Sequence, residues 1–239
     1  IYSTKRVLSR YINVNNMYNT NKIDAILFDM DGTVLDSEKL FGIAEQRVLC
    51  DYGINAGLDE FTIFRGMSED IFYPVFMSRF NIDEEINTLK IKLKEYLLMI
   101  MQTNLQYVTG FRDFYQNIIL PNEIKTALVT NTSLDIVRKI VEYIDIGDYF
   151  STIITSSDVN HPKPSPIPYQ KAMSALGVNS KNSVIIEDSA SGIRSAMEAG
   201  AMVIGLTSTL RESDIKDISP DIYIFNTYSE IKNFLEKYI

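Results

Sequence analysis

The chain has no tryptophan, one cysteine and one histidine. A single cysteine excludes an intrachain disulfide and fits a reducing compartment. Cys50 falls in an apolar-periodic stretch and is expected to be a buried packing residue. His161 reads as a loop residue without a catalytic part. No apolar run approaches the ~20 residues of a membrane span; the most apolar stretch, Leu97 to Met101, is far shorter. Positive charge is also scarce: 23 Lys and Arg against 31 Asp and Glu give a net charge of −8. An acidic surface excludes a general binder of nucleic acid or anionic membrane, because both demand a basic face. It leaves a small phosphate substrate open, since a local metal and one lysine invert the field inside a cleft. No G-x-G-x-x-G follows the first apolar strand, which removes a dinucleotide-dependent dehydrogenase.

Hydrophobic residues make up 46% of 239 residues, enough for one core, or for a core with a smaller inserted domain. Residues 1–21 are rich in Asn, Tyr and Ser, carry Lys5, Arg6 and Arg10, and hold no acid. They read as a surface extension, with a targeting remnant as the alternative. The expected compartment is the cytoplasm, or an organelle if a targeting segment lies upstream. A monomer is the expected state.

Ile23–Phe28 is a short apolar run that ends at Asp29-Met30-Asp31-Gly32, as a buried strand before a turn does. From 38 to 108 the spacing turns helical: Leu40, Ile43, Ala44, Val48 and Leu49, then Ile71, Val75 and Phe76, then Ile86, Leu89, Leu93, Leu97 and Ile100. That segment is expected to be an all-helical insertion into a core of residues 22–37 and 109–239. In the second part strands are expected at 126–129, 152–155, 183–186, 202–205 and 222–225. Helices are expected at 134–143, 167–176, 191–199 and 229–237. This alternation predicts an α/β fold with a parallel sheet and helices on both faces.

Four loops at strand ends carry the chemistry. Asp29 and Asp31, two residues apart after a buried strand, repel each other unless a cation or shared proton sits between them. Thr130 and Asn131 follow the second strand, where a hydroxyl and backbone N–H groups cradle phosphate. Lys163 stands between Pro162 and Pro164, and the paired acids Glu187 and Asp188 are oxygen ligands suited to Mg²⁺.

In this order, Phe28-Asp29-Met30-Asp31-Gly32-Thr33, Val129-Thr130-Asn131-Thr132-Ser133, Lys163-Pro164-Ser165-Pro166 and Ile186-Glu187-Asp188-Ser189 resemble the four motifs of the haloacid dehalogenase superfamily. The resemblance covers roughly residues 23–239 and implies a Rossmann-like core with a helical type-one cap. It implies a Mg-dependent phosphatase acting on a small phosphorylated metabolite such as a sugar phosphate. In it, Asp29 is the nucleophile and Asp31 the acid and base. Thr130, Asn131 and Lys163 contact the phosphoryl group. Asp29, Asp31 (through its carbonyl) and Asp188 bind Mg²⁺, and Glu187 holds a metal-bound water.

Departures narrow the subgroup. Dehalogenating relatives lack the second aspartate. Phosphonate-cleaving relatives use a cap lysine, and Glu69 stands where a basic residue is sought. Phe41 and Ser133 replace a histidine and a lysine of the β-phosphoglucomutases. Arg65 is the candidate cap residue for substrate binding and would partly compensate. A phosphosugar mutase and a non-catalytic phosphate binder are the alternatives. The cap aromatics Phe61, Phe64, Phe72, Tyr73 and Phe76 offer either pocket lining or cap packing.

Overall fold

A computed structural model describes residues 22–239, so the expected extension at 1–21 lies outside the described residues. In chain order the elements are β1 Ala25–Phe28, α1 Glu38–Asp51, α2 Glu69–Phe80, α3 Ile86–Asn104 and the short α4 Phe111–Phe114. There follow β2 Lys125–Val129, α5 Leu134–Tyr143, β3 Thr152–Ile154, α6 Ile167–Leu176 and β4 Ser183–Glu187. The chain ends with α7 Ala190–Ala199, β5 Met202–Leu206, α8 Glu212–Ile218, β6 Tyr223–Phe225 and α9 Tyr228–Leu235.

The strands form one parallel sheet in the order β3-β2-β1-β4-β5-β6. Their central residues are apolar on both sides because both faces of the sheet are covered. Alternate residues feed two cores: Ile26, Phe28, Leu128 and Ile186 enter the larger, and Ala25, Leu27, Val129 and Ile185 the smaller. Helices α4, α5 and α9 pack on the first face, and α6 and α7 on the second. The chain leaves β1 toward β2 on one side and returns to β4 on the other. That reversal of strand order opens a crevice at the carboxyl ends of β1, β2 and β4. Phe28 is level with Leu128 and Ile186, so Asp29 emerges level with Val129 and Glu187.

Between Glu38 and Asn104 the elements are all helical, and the chain runs side by side where it enters and leaves this segment. The Asp36 amide donates to the Gln106 carbonyl at 2.9 Å, and the Val108 amide to Val34 at 2.9 Å. Within the cap, α1 buries Leu40, Ala44, Val48 and Leu49 while α3 buries Leu89, Leu93, Leu97 and Ile100. Each such fully buried Leu is worth roughly 1.5–3 kcal/mol. The aromatics are cap packing, with Phe64 and Phe76 ring centres 5.4 Å apart and Phe72 and Phe76 5.2 Å apart. Phe64, Phe72 and Tyr73 also show an edge to the cleft.

Two expectations fail. Cys50 is exposed, because α1 turns residues 44, 45, 48 and 49 inward and position 50 falls on the opposite side. Ile71 and Val75 are exposed at 49% and 37%, as is Ile86 at 42%. The inward face of α2 is instead Phe72, Tyr73 and Phe76, one residue further round. No helix of the described residues is long and apolar enough to cross a membrane.

Candidate active site

Lys163 is the centre of the site. Its side chain is 2% exposed, and its ammonium donates to Asp29 Oδ1 at 2.6 Å, Glu187 Oε1 at 2.7 Å and the Val129 carbonyl at 2.7 Å. Three acceptors match its three donors, so the buried charge is saturated. Asn131 positions the loop that carries it: Oδ1 accepts from the Lys163 amide at 3.0 Å, and Nδ2 donates to the Lys163 carbonyl at 3.1 Å. The same Nδ2 lies 3.2 Å from the Gly66 carbonyl of the cap, to which Ser191 also donates.

Glu187 is fully buried at the end of β4. Besides Lys163, its Oε1 accepts from the Tyr169 hydroxyl at 2.8 Å. Its Oε2 accepts from the Asp188 and Ser189 amides at 3.1 and 3.2 Å and from Ser189 Oγ at 3.1 Å. Asp188 accepts from Thr33 at 3.1 Å, from Ser208 at 3.3 Å and from Thr209. Gly32 sits against Asp188 with a φ of +79°, a conformation and an approach that a Cβ would forbid. Gly192 lies equally close to Glu187, and a Cβ there would overlap the carboxylate. Gly192→Ala is therefore expected to lower stability by roughly 3 kcal/mol, read from urea unfolding, with the strain transmitted to Lys163 through Glu187.

The carboxylates Asp29, Glu187 and Asp188 bring ligand oxygens within 4.8 Å of one another. Burial, then the charge of Glu187, raises the Asp29 carboxyl well above its ordinary range, although Lys163 pulls the other way. Burial, then Asp29 and Glu187, does the same to Asp188. Burial alone would lower the Lys163 ammonium, but the two carboxylates outweigh it and hold it up. One ammonium does not neutralise three buried carboxylates. A hard divalent cation with oxygen preference fits this donor set.

Asp31 stands at the cleft. Its Oδ1 accepts from Ser37 at 2.6 Å, and its Oδ2 from Thr132 at 2.7 Å and from Thr130 at 3.4 Å. Burial raises its carboxyl, and these hydroxyls partly restore it. The Thr130 hydroxyl in turn accepts from the Thr132 amide at 2.9 Å.

Seven of the eight residues singled out from sequence thus meet at the strand ends. The eighth, Arg65, lines the cap side of the same cleft. Its guanidinium is already engaged: two nitrogens donate to Glu45 at 2.9 Å each, and Nε lies 2.6 Å from Glu38 Oε2. That last contact is badly aligned, because Glu38 Oε2 makes no hydrogen bond. Burial accordingly pushes the Glu38 carboxyl up to about 8, against Arg65 and with help from Asp31 and Glu45. The folded chain keeps a proton there that the unfolded chain loses near 4.5. Glu38 therefore destabilises the fold progressively as pH rises from 4.5, fully above 8. Glu38→Gln is expected to gain on the native chain by on the order of 5 kcal/mol between about pH 5 and pH 9, in urea unfolding at each pH.

Sequence reasoning missed Tyr169, Thr132, Thr209 and Glu45 as members of the site. Thr132 and Thr209 had a usable signal, as hydroxyls in the loops after parallel strands. Tyr169 and Glu45 had none, being ordinary members of amphipathic helices.

Parallel strands with buried carboxylates and a buried lysine at their carboxyl ends define an α/β enzyme whose cleft is lined on one side by residues of the helical segment 38–104. The chain belongs to the haloacid dehalogenase-like hydrolase family, whose model matches residues 26–206. It is 28% identical over 217 residues to pyrophosphatase PpaX of Oceanobacillus iheyensis, a match covering 87% of this chain and 95% of that one. It is 27% identical over 191 residues to the phosphorylated carbohydrates phosphatase of Thermotoga maritima, covering 80% and 88%. The fold is shared with β-phosphoglucomutase from Clostridium difficile at a TM-score of 0.74 and 19% identity, over 90% and 97% of the two chains.

Proposed function

We propose that this hydrolase is a magnesium-dependent phosphatase of small phosphomonoesters that works through an aspartyl-phosphate on Asp29. The observation that carries the reading is the set Asp29, Glu187 and Asp188 around one saturated lysine, at the mouth of a cleft that Asp31 also faces. The names of the phosphatase relatives support the same reading.

Asp29 attacks phosphorus, and the bond to the ester oxygen breaks. Asp31 gives its proton to the departing alkoxide, then takes one from the water that attacks the aspartyl-phosphate. Phosphate leaves and Asp29 is regenerated. A raised carboxyl pKa suits Asp31 to both roles. Lys163 holds Asp29 in position and, with Thr130 and the amides of its loop, balances charge on the transferred group. Asp29, Asp188, Glu187 and the Asp31 carbonyl are the groups that would hold magnesium, which when bound would supply positive charge beside the transferred group.

The Asp29/Asp31 pair argues against a mere phosphate binder, which needs neither nucleophile nor acid. A mutase must hold a second phosphate, and Arg65, the cap cation nearest that task, is paired with Glu45. The test is phosphate release from a panel of phosphomonoesters with magnesium or with excess chelator. Release that stops on chelation and returns with magnesium is expected; release indifferent to the metal contradicts the reading.

A further inference from the structure

The cap side of the cleft has a chemistry of its own. Apolar side chains from both domains form its wall, among them Phe41, Phe72, Tyr73, Leu93, Leu97 and Ile136. The charged and acidic groups beside them are Glu38, Glu45 and Glu69 with Arg65 and Lys94. Each cation of the described residues that reaches this chamber already has an acidic partner. Arg65 is held by Glu45 in a fork of two bonds and touched by Glu38. Lys94 pairs with Asp135 at 3.1 Å, bridging cap and core. Glu69 is paired with Lys90 at 3.3 Å. Protonating Glu38 frees no cation, because Glu45 alone matches Arg65.

An anionic leaving group entering this chamber would lose its water and find no unpaired cation among the described residues. An uncharged one would lose nothing by the same move and would gain contact with the apolar wall. We infer that the cap chamber selects phosphomonoesters of uncharged alcohols that present an apolar face, and rejects leaving groups bearing a carboxylate or a second phosphate. The inference rests on the phosphatase reading, whose phosphate end it leaves unchanged. It also separates this chain from relatives named for pyrophosphate.

The experiment compares benzyl phosphate with its para-carboxylate, two esters alike in ring, bond and leaving oxygen, beside phosphoglycolate and pyrophosphate, all with magnesium. Benzyl phosphate is expected to lead each of the others by about tenfold or more in kcat/KM, the effect of one unmatched charge. Two variants shift the ratio of carboxylate ester to benzyl phosphate: Glu45→Gln, which releases Arg65, and Glu69→Lys, which adds a cation at a part-exposed position and folds even where the first does not. Each is expected to raise that ratio about tenfold. Equal or faster turnover of the charged esters, or variants that leave the ratio unmoved, overturns the inference and spares the phosphatase reading. No release from any ester by folded protein removes that reading, and the inference with it.

Discussion

Asp29→Asn is expected to release phosphate at least about 10⁴-fold more slowly than the native chain, with its fold intact. Removing the nucleophile of a covalent mechanism typically costs more than removing any supporting donor. The amide is nearly the same size as the carboxylate and keeps an oxygen for the Lys163 ammonium, which donates to Oδ1 at 2.6 Å. It also removes one of three crowded carboxylates, so stability should hold or rise. Activity and stability thus separate in this variant. Coupled loss of both would mean that Asp29 is a structural partner of Lys163 and nothing more.

Lys163→Met is expected to lose both. Among the described residues the ammonium is the one buried positive charge facing Asp29 and Glu187, at 2.6 and 2.7 Å. Without it those carboxylates keep each other and Asp188 for neighbours, and Glu187 retains only Tyr169, Ser189 and backbone amides. Breaking a buried ion pair by removing one partner costs about 3–5 kcal/mol. A catalytic donor to a transferring group is worth on the order of 10²–10³ in rate. Urea unfolding and steady-state phosphate release measure the two losses. Magnesium in the assay should restore part of the stability and little of the rate, because a cation at the carboxylates replaces charge but not the ammonium's place beside the substrate.

Much of this was legible because the fold is built from short buried strands with a signal at each end. Ile23–Phe28 ends in two aspartates, Lys125–Val129 in a threonine and Ser183–Glu187 in paired acids, and a parallel sheet brings all three ends to one crevice. Helix α8 at Glu212–Ile218 escaped notice because it buries a single apolar side chain, Ile215, and so has no periodicity to read. Cys50 misled because an apolar-looking stretch fixes a helix but not its rotation; packing against α3 chose the face. The second layer of the site was hidden for another reason. Tyr169 reaches Glu187 across 18 residues and Glu45 reaches Arg65 across 20, and neither partner changes the local pattern around it. Such contacts follow from tertiary packing. The paired state of Arg65, on which the substrate inference turns, is of this kind.

The most direct test of the central claim is to trap the phosphoryl group on the protein. Asp31→Asn removes the residue that activates water and leaves Asp29 in place. An ester such as p-nitrophenyl phosphate, whose leaving group departs without a proton, allows the first step to proceed in that variant. Quenched with acid, digested and analysed by mass spectrometry, the variant is predicted to carry one phosphoryl group on the peptide containing Asp29, labile to hydroxylamine and absent in Asp29→Asn. A burst of p-nitrophenol without a phosphorylated peptide, or with the group on another residue, would contradict the account.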